Sequence, residues 1–390
     1  MKKIYITTHY LKHGGIERMV CNLSNLFIEM NYDVEILCTY YDGEPVYHLN
    51  DKVKITYLTY KLPKKTTSLK KNLKELKFIR VINDSFVRFS QYYLHNKVVA
   101  DSIKNIEKSI IISTRNEHTK LINKYSNGSN KLIAQLHCDY SQYKGYLKDI
   151  KYRYNNIDYL LLLTEELKNE VEPELNELNK KTKCLTVPNF IKDIKDIKDT
   201  KYIERKKQII SVGRLSVEKG FDRLLLIWEE FLANNKNYIL KIVGDGEEKE
   251  NLIQLAKYLN ISDSIIFTGF LSNDETVKEI RKSKIYVMTS LQEAFPMVLL
   301  ESISQGIPIV AYDVRVGPRS IIKDGYNGFL VKENDIKIFI EKLNFLLEKN
   351  DFYNNMSKNA INSSKLYSEE ILKDIWFEIL NELTVQARLT

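Results

Sequence analysis

The chain has 390 residues, of which 44% are hydrophobic and 28% charged, and its formal net charge is +8 at pH 7. This length exceeds that of one ordinary hydrophobic core, and a working value of about 150 residues per domain predicts two or three domains. The longest apolar runs, such as 159–163, are far shorter than the roughly 20 residues that span a bilayer, so no transmembrane helix is predicted.

The N-terminal segment 1–8 reads as the start of a strand and lacks the apolar core and cleavage site of a signal peptide. We therefore expect a cytoplasmic protein. The cysteines are far apart and form no C-x-x-C pair, which supports neither a disulfide framework nor a zinc site. They are Cys21, Cys38, Cys138 and Cys184.

Strand-like and helix-period segments alternate through the first half of the chain. Residues 3–7 read as a strand, and 16–30 as a helix whose apolar residues follow a 3-4 spacing. Further strand-like runs are 34–39, 109–113, 132–136 and 160–164. This alternation is typical of βαβ units in a parallel sheet.

A strongly basic segment interrupts that pattern. Residues 61–80 contain eight basic side chains against Glu75 alone, and their leucines and isoleucine recur at helical spacing. The pattern predicts a surface helix that rests on anionic lipid. The alternative is a solvated helix whose apolar stripe faces the protein core. No nucleic-acid reader motif accompanies the segment, so nucleic acid is not an expected partner. The lysines predicted to contact the membrane are Lys64, Lys65, Lys70, Lys71 and Lys74.

A charged, weakly hydrophobic stretch at 191–207 predicts a linker. Strands and helices then alternate again from 208 to 312, and helical patterns continue to the last residue. We predict a first domain at 1–190, a second domain at 208–365 and a final helix at 366–390. Two tandem Rossmann-like parallel sheets of this kind bind ligands at the carboxyl ends of their strands, around a shared cleft.

The most informative segment is 293–301, Glu-Ala-Phe-Pro-Met-Val-Leu-Leu-Glu. It places Glu293 before a helix opened by Pro296 and Glu301 inside that helix. The free N–H groups and positive dipole end of a helix favour a phosphate, and the carboxylates can accept hydroxyl groups on either side of it. The segment therefore predicts a nucleotide-sugar site. The alternative is an amphipathic surface helix with two solvated glutamates.

Other candidates also directly follow predicted strands. Arg214 and Lys219 flank a strand-to-helix junction, where two cations can hold a diphosphate. Gly14-Gly15 and Gly244 allow a close approach of the backbone, or are plain turns. His137 ends a strand-like run and is a candidate for contact with the reacting sugar, although a lone histidine is often structural. Arg115 is a second candidate for the cleft.

Metal chemistry is not predicted. The chain contains no Asp-x-Asp triplet, which cation-dependent sugar transfer usually needs to hold the metal that bridges the diphosphate. Cations and helix dipoles would then neutralise the leaving group. The remaining histidines, at 9, 13, 48, 95 and 118, show no spacing typical of a metal site.

Together these motifs resemble the retaining glycosyltransferases of the GT-B fold, in particular glycosyltransferase family 4. The segments that carry the resemblance are 14–18, 187–189, 213–220, 244–246, 293–301 and 325–331. The resemblance implies that Glu301 binds the ribose hydroxyls, that Glu293 and His137 contact the donor sugar, and that Arg214 and Lys219 bind the diphosphate. The wider donor-binding set is Gly15, Gly244, Phe270, Phe295, Pro296, Met297 and Val298.

Residues 312–319 look like the corresponding stretch in members that build teichoic acids and capsular polysaccharides. The resemblance implies retaining transfer, without a metal cofactor, from a UDP-sugar bound by the domain at 208–365 to a glycan or lipid-linked acceptor bound by the domain at 1–190. It also implies that the helix at 366–390 crosses back to the first domain. Two alternatives stay open, namely a catalytically silent binding subunit and a GT-B sugar-nucleotide epimerase or hydrolase. A nicotinamide-dependent oxidoreductase is disfavoured, because neither half has the expected glycine fingerprint.

Overall fold

The computed structural model describes residues 1–62, 78–139, 141, 145–176, 179, 181–192 and 205–389, and the chain divides into two compact units. Unit 1 contains Met1–Leu162, Lys168–Thr186 and Ile375–Thr390, and unit 2 contains Leu163–Leu167 and Val187–Asp374. The predicted domain ranges stay predictions, because most of the proposed linker at 191–207 lies outside the described residues.

Unit 1 is built on a seven-stranded parallel sheet. Its strands are β1 (Lys3–Thr8), β2 (Asp33–Tyr40), β3 (Lys54–Thr59), β4 (Ile110–Ser113), β5 (Lys131–Leu136), β6 (Tyr159–Leu162) and β7 (Lys183–Thr186). Their order is β3-β2-β1-β4-β5-β6-β7, so the direction of winding reverses between β1 and β4. The central strands are almost wholly apolar because both faces of a parallel sheet are covered by helices.

In the described parts of unit 1, five helices follow the strands of this sheet. They are α1 (Gly15–Glu29), α2 (Phe78–Lys104), α3 (Asn116–Tyr125), α4 (Tyr146–Arg153) and α5 (Glu165–Asn176). Helix α1 buries Leu23, Leu26 and Phe27, as its 3-4 apolar spacing predicts. Of the basic segment 61–80, helix α2 includes only residues 78–80. The lysines predicted to contact a membrane lie within 63–77, outside the described residues.

Unit 2 contains a six-stranded parallel sheet. Its strands are β8 (Gln208–Val212), β9 (Ile239–Val243), β10 (Ile265–Phe267), β11 (Ile285–Met288), β12 (Ile309–Tyr312) and β13 (Gly328–Val331), in the order β10-β9-β8-β11-β12-β13. Its helices are α6 (Phe221–Leu232), α7 (Lys249–Tyr258), α8 (Asn273–Lys282), α9 (Met297–Ser304), α10 (Gly317–Ile321), α11 (Ile336–Glu348) and α12 (Asn350–Ser364). Trp228 and Phe231 of α6 are among the largest side chains of its core.

The last helix, α13 (Glu369–Leu389), contributes its residues from 375 onward to unit 1. There the buried ring of Trp376 meets Phe27 of α1 edge to face, with 5.0 Å between centroids. No helix of the described residues is long and apolar enough to cross a membrane.

The predicted fold class, two Rossmann-like parallel-sheet domains, is confirmed by these two sheets. Three strands were not predicted, namely β3, β7 and β13. None of the three is buried along its whole length, whereas β4 and β6 are.

Candidate functional site

The candidate site in unit 2 lies at the carboxyl ends of β8 and β11, neighbouring strands between which the strand order reverses. In open parallel sheets this switch point leaves a crevice for ligands, because the flanking connections run to opposite faces of the sheet. Loop 213–219 follows β8 and loop 289–296 follows β11. Both loops contain residues that the sequence predicted to bind the donor.

The loop after β8 packs directly against the loop after β9. Gly244 has φ of +136°, and a Cβ there would lie 1.9 Å from the carbonyl oxygen of Gly213. A Cβ at Gly246 would lie 2.3 Å from the carbonyl oxygen of Leu215. The Leu215 N–H donates to the Asp245 carbonyl at 2.9 Å, which closes the contact. Gly244 is therefore required by the fold, and its proximity to a donor stays a prediction.

Arg223 in the first turn of α6 holds the loop after β11. Its Nε and Nη2 donate to the Thr289 carbonyl at 3.2 and 2.6 Å, and Nη2 also donates to the Ser290 carbonyl at 2.8 Å. A Cβ at Gly220 would lie 2.3 Å from the Thr289 oxygen, so this close docking also requires a glycine. The sequence analysis did not single out Arg223. Nothing in its spacing distinguishes it from an exposed arginine.

The structure brings Lys219 and Glu293 together. The Lys219 ammonium donates to Glu293 Oε1 at 2.6 Å, and the Ser290 hydroxyl donates to the same oxygen at 2.7 Å. Only 9% of the Glu293 side chain is exposed, against 28% for Lys219. Two donors on one oxygen hold the carboxylate in a single orientation, while the second oxygen can accept from a ligand. Ser290 was not predicted as part of this group.

A strained turn after β12 is hydrogen-bonded to the backbone of Glu293. Val316 has φ of 70° and ψ of −70°, and the Gly317 N–H donates to the Arg315 carbonyl at 3.1 Å, which makes this a γ-turn. The same N–H donates to the Glu293 carbonyl at 3.0 Å. A β-branched residue rarely adopts positive φ, and such strain concentrates at functional sites. The buried Val316 is therefore a further sign that the position of Glu293 matters.

Helix α9 starts directly after this region, with Pro296 as its N-cap and no side chain capping it. The first N–H groups of a helix have no intrahelical partner, and the helix dipole makes this end positive. Only the Leu299 N–H turns back, to the Pro296 carbonyl at 3.0 Å. The neighbouring Phe295 and Met297 are buried, and Val298 is half-buried. The start of α9 thus has the features of an anion-binding end.

Glu301 lies in the second turn of α9 and is 3% exposed. It does not face bulk solvent, which excludes the alternative of a solvated surface glutamate. Tyr286 of β11 interacts electrostatically with both Glu301 and Glu293. Burial raises the pKa of the Tyr286 hydroxyl well above its usual range, and the charges of Glu293 and Glu301 raise it further. The tyrosine hydroxyl stays neutral and donates to the Val212 carbonyl at 3.1 Å.

Arg214 lies on the exposed side of the loop after β8, with 65% of its side chain accessible. Its Nη2 donates to Glu218 Oε1 at 2.5 Å. Burial raises the pKa of Glu218, but the hydrogen bonds from Arg214, the backbone and Ser216 and the charge of Arg214 together outweigh it and hold that pKa at about 2. Glu218 was not predicted as a partner, although it is four residues from Arg214. Phe270, after β10, is also exposed.

In unit 1 the predicted residues lie at the switch point between β1 and β4. The Arg115 guanidinium donates to the buried Glu17 carboxylate at 2.6 Å. A Cβ at Gly14 would lie 2.0 Å from Glu17 Oε2, so Gly14 makes room for this pair. Gly15 begins α1, and a Cβ there would meet no atom within 4 Å. The sequence analysis named these residues separately and did not pair Arg115 with Glu17.

His137 follows β5, and its Nε2 lies 3.2 Å from the side-chain oxygen of Gln135. An amide oxygen only accepts, so Nε2 donates and Nδ1 is left as an acceptor. Burial lowers the pKa of His137 to about 3, and the positive charge of Arg115 acts in the same direction. His137 is therefore a neutral hydrogen-bonding group at neutral pH.

Sequence comparisons relate this chain to glycosyltransferases. Residues 193–363, just under half of the chain, match the family model described as Glycosyl transferases group 1. An uncharacterised glycosyltransferase from Haemophilus influenzae is 29% identical over 396 residues, covering 97% of this chain and all of the relative. The amylovoran biosynthesis glycosyltransferase AmsD of Erwinia amylovora is 27% identical over 370 residues, covering 94% of this chain and 96% of the relative.

Among solved structures, a mutant of S. aureus TarM in complex with Fondaparinux, alpha-GlcNAc-glycerol and UDP has a TM-score of 0.78. It is 15% identical, and the match covers 98% of this chain and all of that one. The likeness shows that the two chains share the GT-B fold. Together with the family match in unit 2, it supports a glycosyltransferase.

Gly244→Ala tests the close packing of the two loops. We expect a loss of about 2 to 4 kcal/mol in the unfolding free energy of unit 2, because the added methyl collides with a carbonyl and the backbone angle disfavours alanine. Gly213→Ala is the matched control, since its Cβ would be 3.7 Å from the nearest atom. Urea unfolding in a Trp376→Phe background reports unit 2 through Trp228, the other of the two tryptophans. Equal stability of the two variants would contradict the packing argument.

The depressed pKa of His137 makes a second prediction. Its ordinary value is 6.5 and its value in the folded chain is about 3, so we expect the imidazole to stay neutral between about pH 5 and 8. Nitrogen-detected NMR of histidine-labelled protein checks this, with the signal assigned by its loss in His137→Gln. The urea-unfolded chain is the control and should titrate near 6.5. A protonation step of the folded His137 in that range would refute the assignment.

Proposed function

We propose that this protein is a retaining glycosyltransferase of the family 4 type. In this proposal it transfers a sugar from a UDP-sugar to a glycan or lipid-linked acceptor in the synthesis of a cell-surface polysaccharide or teichoic acid. The observation that carries the proposal is the contact between Lys219 and Glu293 beside the uncapped start of α9, with Glu301 buried in the same helix. A cation, an anion-binding helix end and two fixed carboxylates are the groups that a nucleotide sugar needs.

The diphosphate would bind at the start of α9. Lys219 already holds Glu293, but an ammonium group has three protons and can donate to a phosphate oxygen as well. The Arg214 guanidinium has five N–H donors, of which one donates to Glu218. The remaining donors can still hydrogen-bond an anion. Neutralisation by these cations and the helix dipole accounts for a reaction that needs no metal ion at the diphosphate.

The nucleoside and the sugar would lie on either side of the diphosphate. A buried carboxylate accepts strong, charge-assisted hydrogen bonds, which suits Glu301 for the two ribose hydroxyls. The free oxygen of Glu293 suits a hydroxyl of the donor sugar. We propose a contact of the sugar with neutral His137 as well. We propose UDP as the nucleotide part of the donor because the TarM structure was solved with UDP.

The proposed chemistry keeps the anomeric configuration. The acceptor hydroxyl attacks the anomeric carbon from the face on which the diphosphate departs, the bond from that carbon to the phosphate oxygen breaks, and the acceptor proton passes to the departing phosphate. The diphosphate oxygens thus act as the base. Lys219, Arg214 and the start of α9 would stabilise the charge that develops on them.

The class of acceptor is proposed from the relatives. AmsD is named for amylovoran biosynthesis, and TarM was solved with alpha-GlcNAc-glycerol. A polymeric or lipid-linked acceptor fits both names. Arg115, held by Glu17, is the proposed cationic contact for such an acceptor in unit 1.

We also propose that unit 1 rests on an anionic membrane surface. The segment 61–80 has a net charge of +7, with eight basic residues and one acidic residue. Helix α2 follows it and exposes Phe86, Phe89 and Tyr93 at positions i, i+3 and i+7 of one face. Aromatic side chains beside a basic segment are typical of proteins that bind the membrane interface.

Two carboxylate variants test the donor site. We expect Glu301→Ala to abolish detectable donor binding and transfer, and Glu293→Gln to reduce turnover by at least tenfold, because the amide weakens the contact with Lys219. Donor binding is followed by thermal shift with UDP-glucose, UDP-galactose and their N-acetyl forms, where saturating ligand adds a few kcal/mol of stability. Transfer is followed by release of UDP with and without a glycan acceptor.

The controls separate the proposed function from its alternatives. Glu301→Gln keeps the side-chain volume and shows whether the alanine variant fails through misfolding, and the exposed Glu348→Ala should behave as wild type. Wild-type activity in either Glu301→Ala or Glu293→Gln would refute the assigned roles. Full release of UDP without an acceptor would instead favour a hydrolase, and donor binding without turnover a silent binding subunit.

Membrane binding is tested by sedimentation with liposomes that contain anionic lipid. We expect weaker sedimentation at low salt when Lys64, Lys65, Lys70 and Lys71 are changed to Glu, because each basic residue near the surface contributes about 1 kcal/mol. Phe86→Ser with Phe89→Ser should weaken the binding that remains at high salt. Liposomes of neutral lipid are the control. Unchanged sedimentation of both variants would contradict the proposal.

A further inference from the structure

Three histidines from distant parts of unit 1 converge in its interior. His9 follows β1, His95 lies in α2 and His118 lies in α3. One ring nitrogen from each forms a group whose members all lie within 4.8 Å of one another. His118 is fully buried and His95 is 7% exposed. The linear spacing of these residues gave no sign of the cluster.

In each ring one nitrogen faces a polar side chain. His118 Nε2 lies 3.0 Å from the Thr39 hydroxyl, and His95 Nδ1 lies 3.3 Å from the Tyr40 hydroxyl. His9 Nε2 lies 3.8 Å from a carboxylate oxygen of Glu117. Such contacts fix the orientation of the three rings. A polar partner on the far nitrogen is also how histidines that bind metals are usually held.

The opposite nitrogens have no partner. His9 Nδ1, His95 Nε2 and His118 Nδ1 are buried and make no hydrogen bond of good geometry within the described part of the chain, although the Thr7 backbone lies close enough to His118 to interact with it. A buried polar atom without a partner costs about 1 to 3 kcal/mol, and native proteins retain few of them. Here three such atoms lie in one cluster, and each belongs to a ring whose other nitrogen faces a polar partner. One explanation should therefore apply to all three.

We propose that His9, His95 and His118 bind a single transition-metal ion, with Zn²⁺ the best match, through these three nitrogens. Imidazole ligands suit zinc, copper and nickel, whereas magnesium and calcium require oxygen ligands. Three protein ligands leave a fourth tetrahedral position for water or for an oxygen of a bound molecule. The site belongs to unit 1 and rests on none of the roles proposed for the donor-binding residues of unit 2.

Geometry and charge are compatible with such an ion. Bonds of about 2.1 Å at tetrahedral angles place neighbouring nitrogens roughly 3.4 Å apart, so ligand nitrogens that lie up to 4.8 Å apart need to approach by at most about 1.4 Å. Small rotations of the three side chains would have to provide this when the ion binds. Glu117 would contribute the negative charge behind His9. The positive Arg115 is paired with Glu17 at 2.6 Å, which offsets its repulsion of a cation.

Metal titration of the full-length, tag-free protein tests the site after dialysis against a chelator. We expect one equivalent of Zn²⁺ to bind in calorimetry with a Kd of 10 micromolar (~10⁻⁵ M) or tighter, and MgCl₂ to give no signal. Co²⁺ in place of Zn²⁺ should give the visible absorption band of a tetrahedral site. His9→Gln and His95→Gln should each weaken Zn²⁺ binding at least tenfold, whereas His48→Gln, in an exposed histidine outside the cluster, should not.

The variants avoid His118, whose full burial makes it the most sensitive to substitution. Circular dichroism confirms that the two test variants are folded, and the Co²⁺ spectrum of the wild type reports ligation even if one of them is not. No saturable Zn²⁺ binding by the wild type would overturn the proposal. Binding that is equally tight in His9→Gln, His95→Gln and wild type would overturn it as well, since the ion would then sit elsewhere.

Discussion

The candidate site of unit 2 depends on how closely the main chain after β8 lies against the main chain after β9. At Gly244 the neighbouring carbonyl leaves space for a hydrogen atom and none for a methyl group. Arg214 is therefore carried on a segment whose backbone is held by direct contact with another loop. Gly220 likewise allows the start of α6 to pack closely against the loop after β11. This packing positions Lys219 beside Glu293. Preorganisation of this kind lowers the reorganisation that ligand binding requires.

Among the described residues, the two cations predicted to bind the diphosphate and the one predicted to lie in the cleft are each paired with a carboxylate. Lys219 holds Glu293, Arg214 holds Glu218, and in unit 1 Arg115 holds Glu17. These pairs keep the cations ordered when no ligand is bound. A diphosphate must join such a pair without displacing the carboxylate, which favours a ligand that offers hydroxyl groups next to its phosphates. This requirement fits a nucleotide sugar better than inorganic phosphate.

The sequence predicted the features that are encoded locally. The parallel sheets followed from buried apolar runs such as Ile110–Ser113, and α1 followed from its apolar spacing. The position of candidate residues after strands also singled out Lys219 and Glu293, which the structure brings together, and Glu301, which it buries, because parallel strands bring their carboxyl ends to one edge. Pairings were not predictable, since Lys219 and Glu293 are 74 residues apart and Arg115 and Glu17 are 98 apart. The histidine cluster of unit 1 was missed for the same reason.

Unit 1 is discontinuous along the chain, and this has a consequence for its biosynthesis. Residues 187–374 all belong to unit 2 and separate Trp376 from its ring partner Phe27. At 5 to 20 residues per second, a ribosome needs roughly 10 to 40 seconds to translate that interval. During this time Phe27 of α1 lacks the ring of Trp376 that packs against it in the complete unit. Protection by a chaperone is most needed in that window.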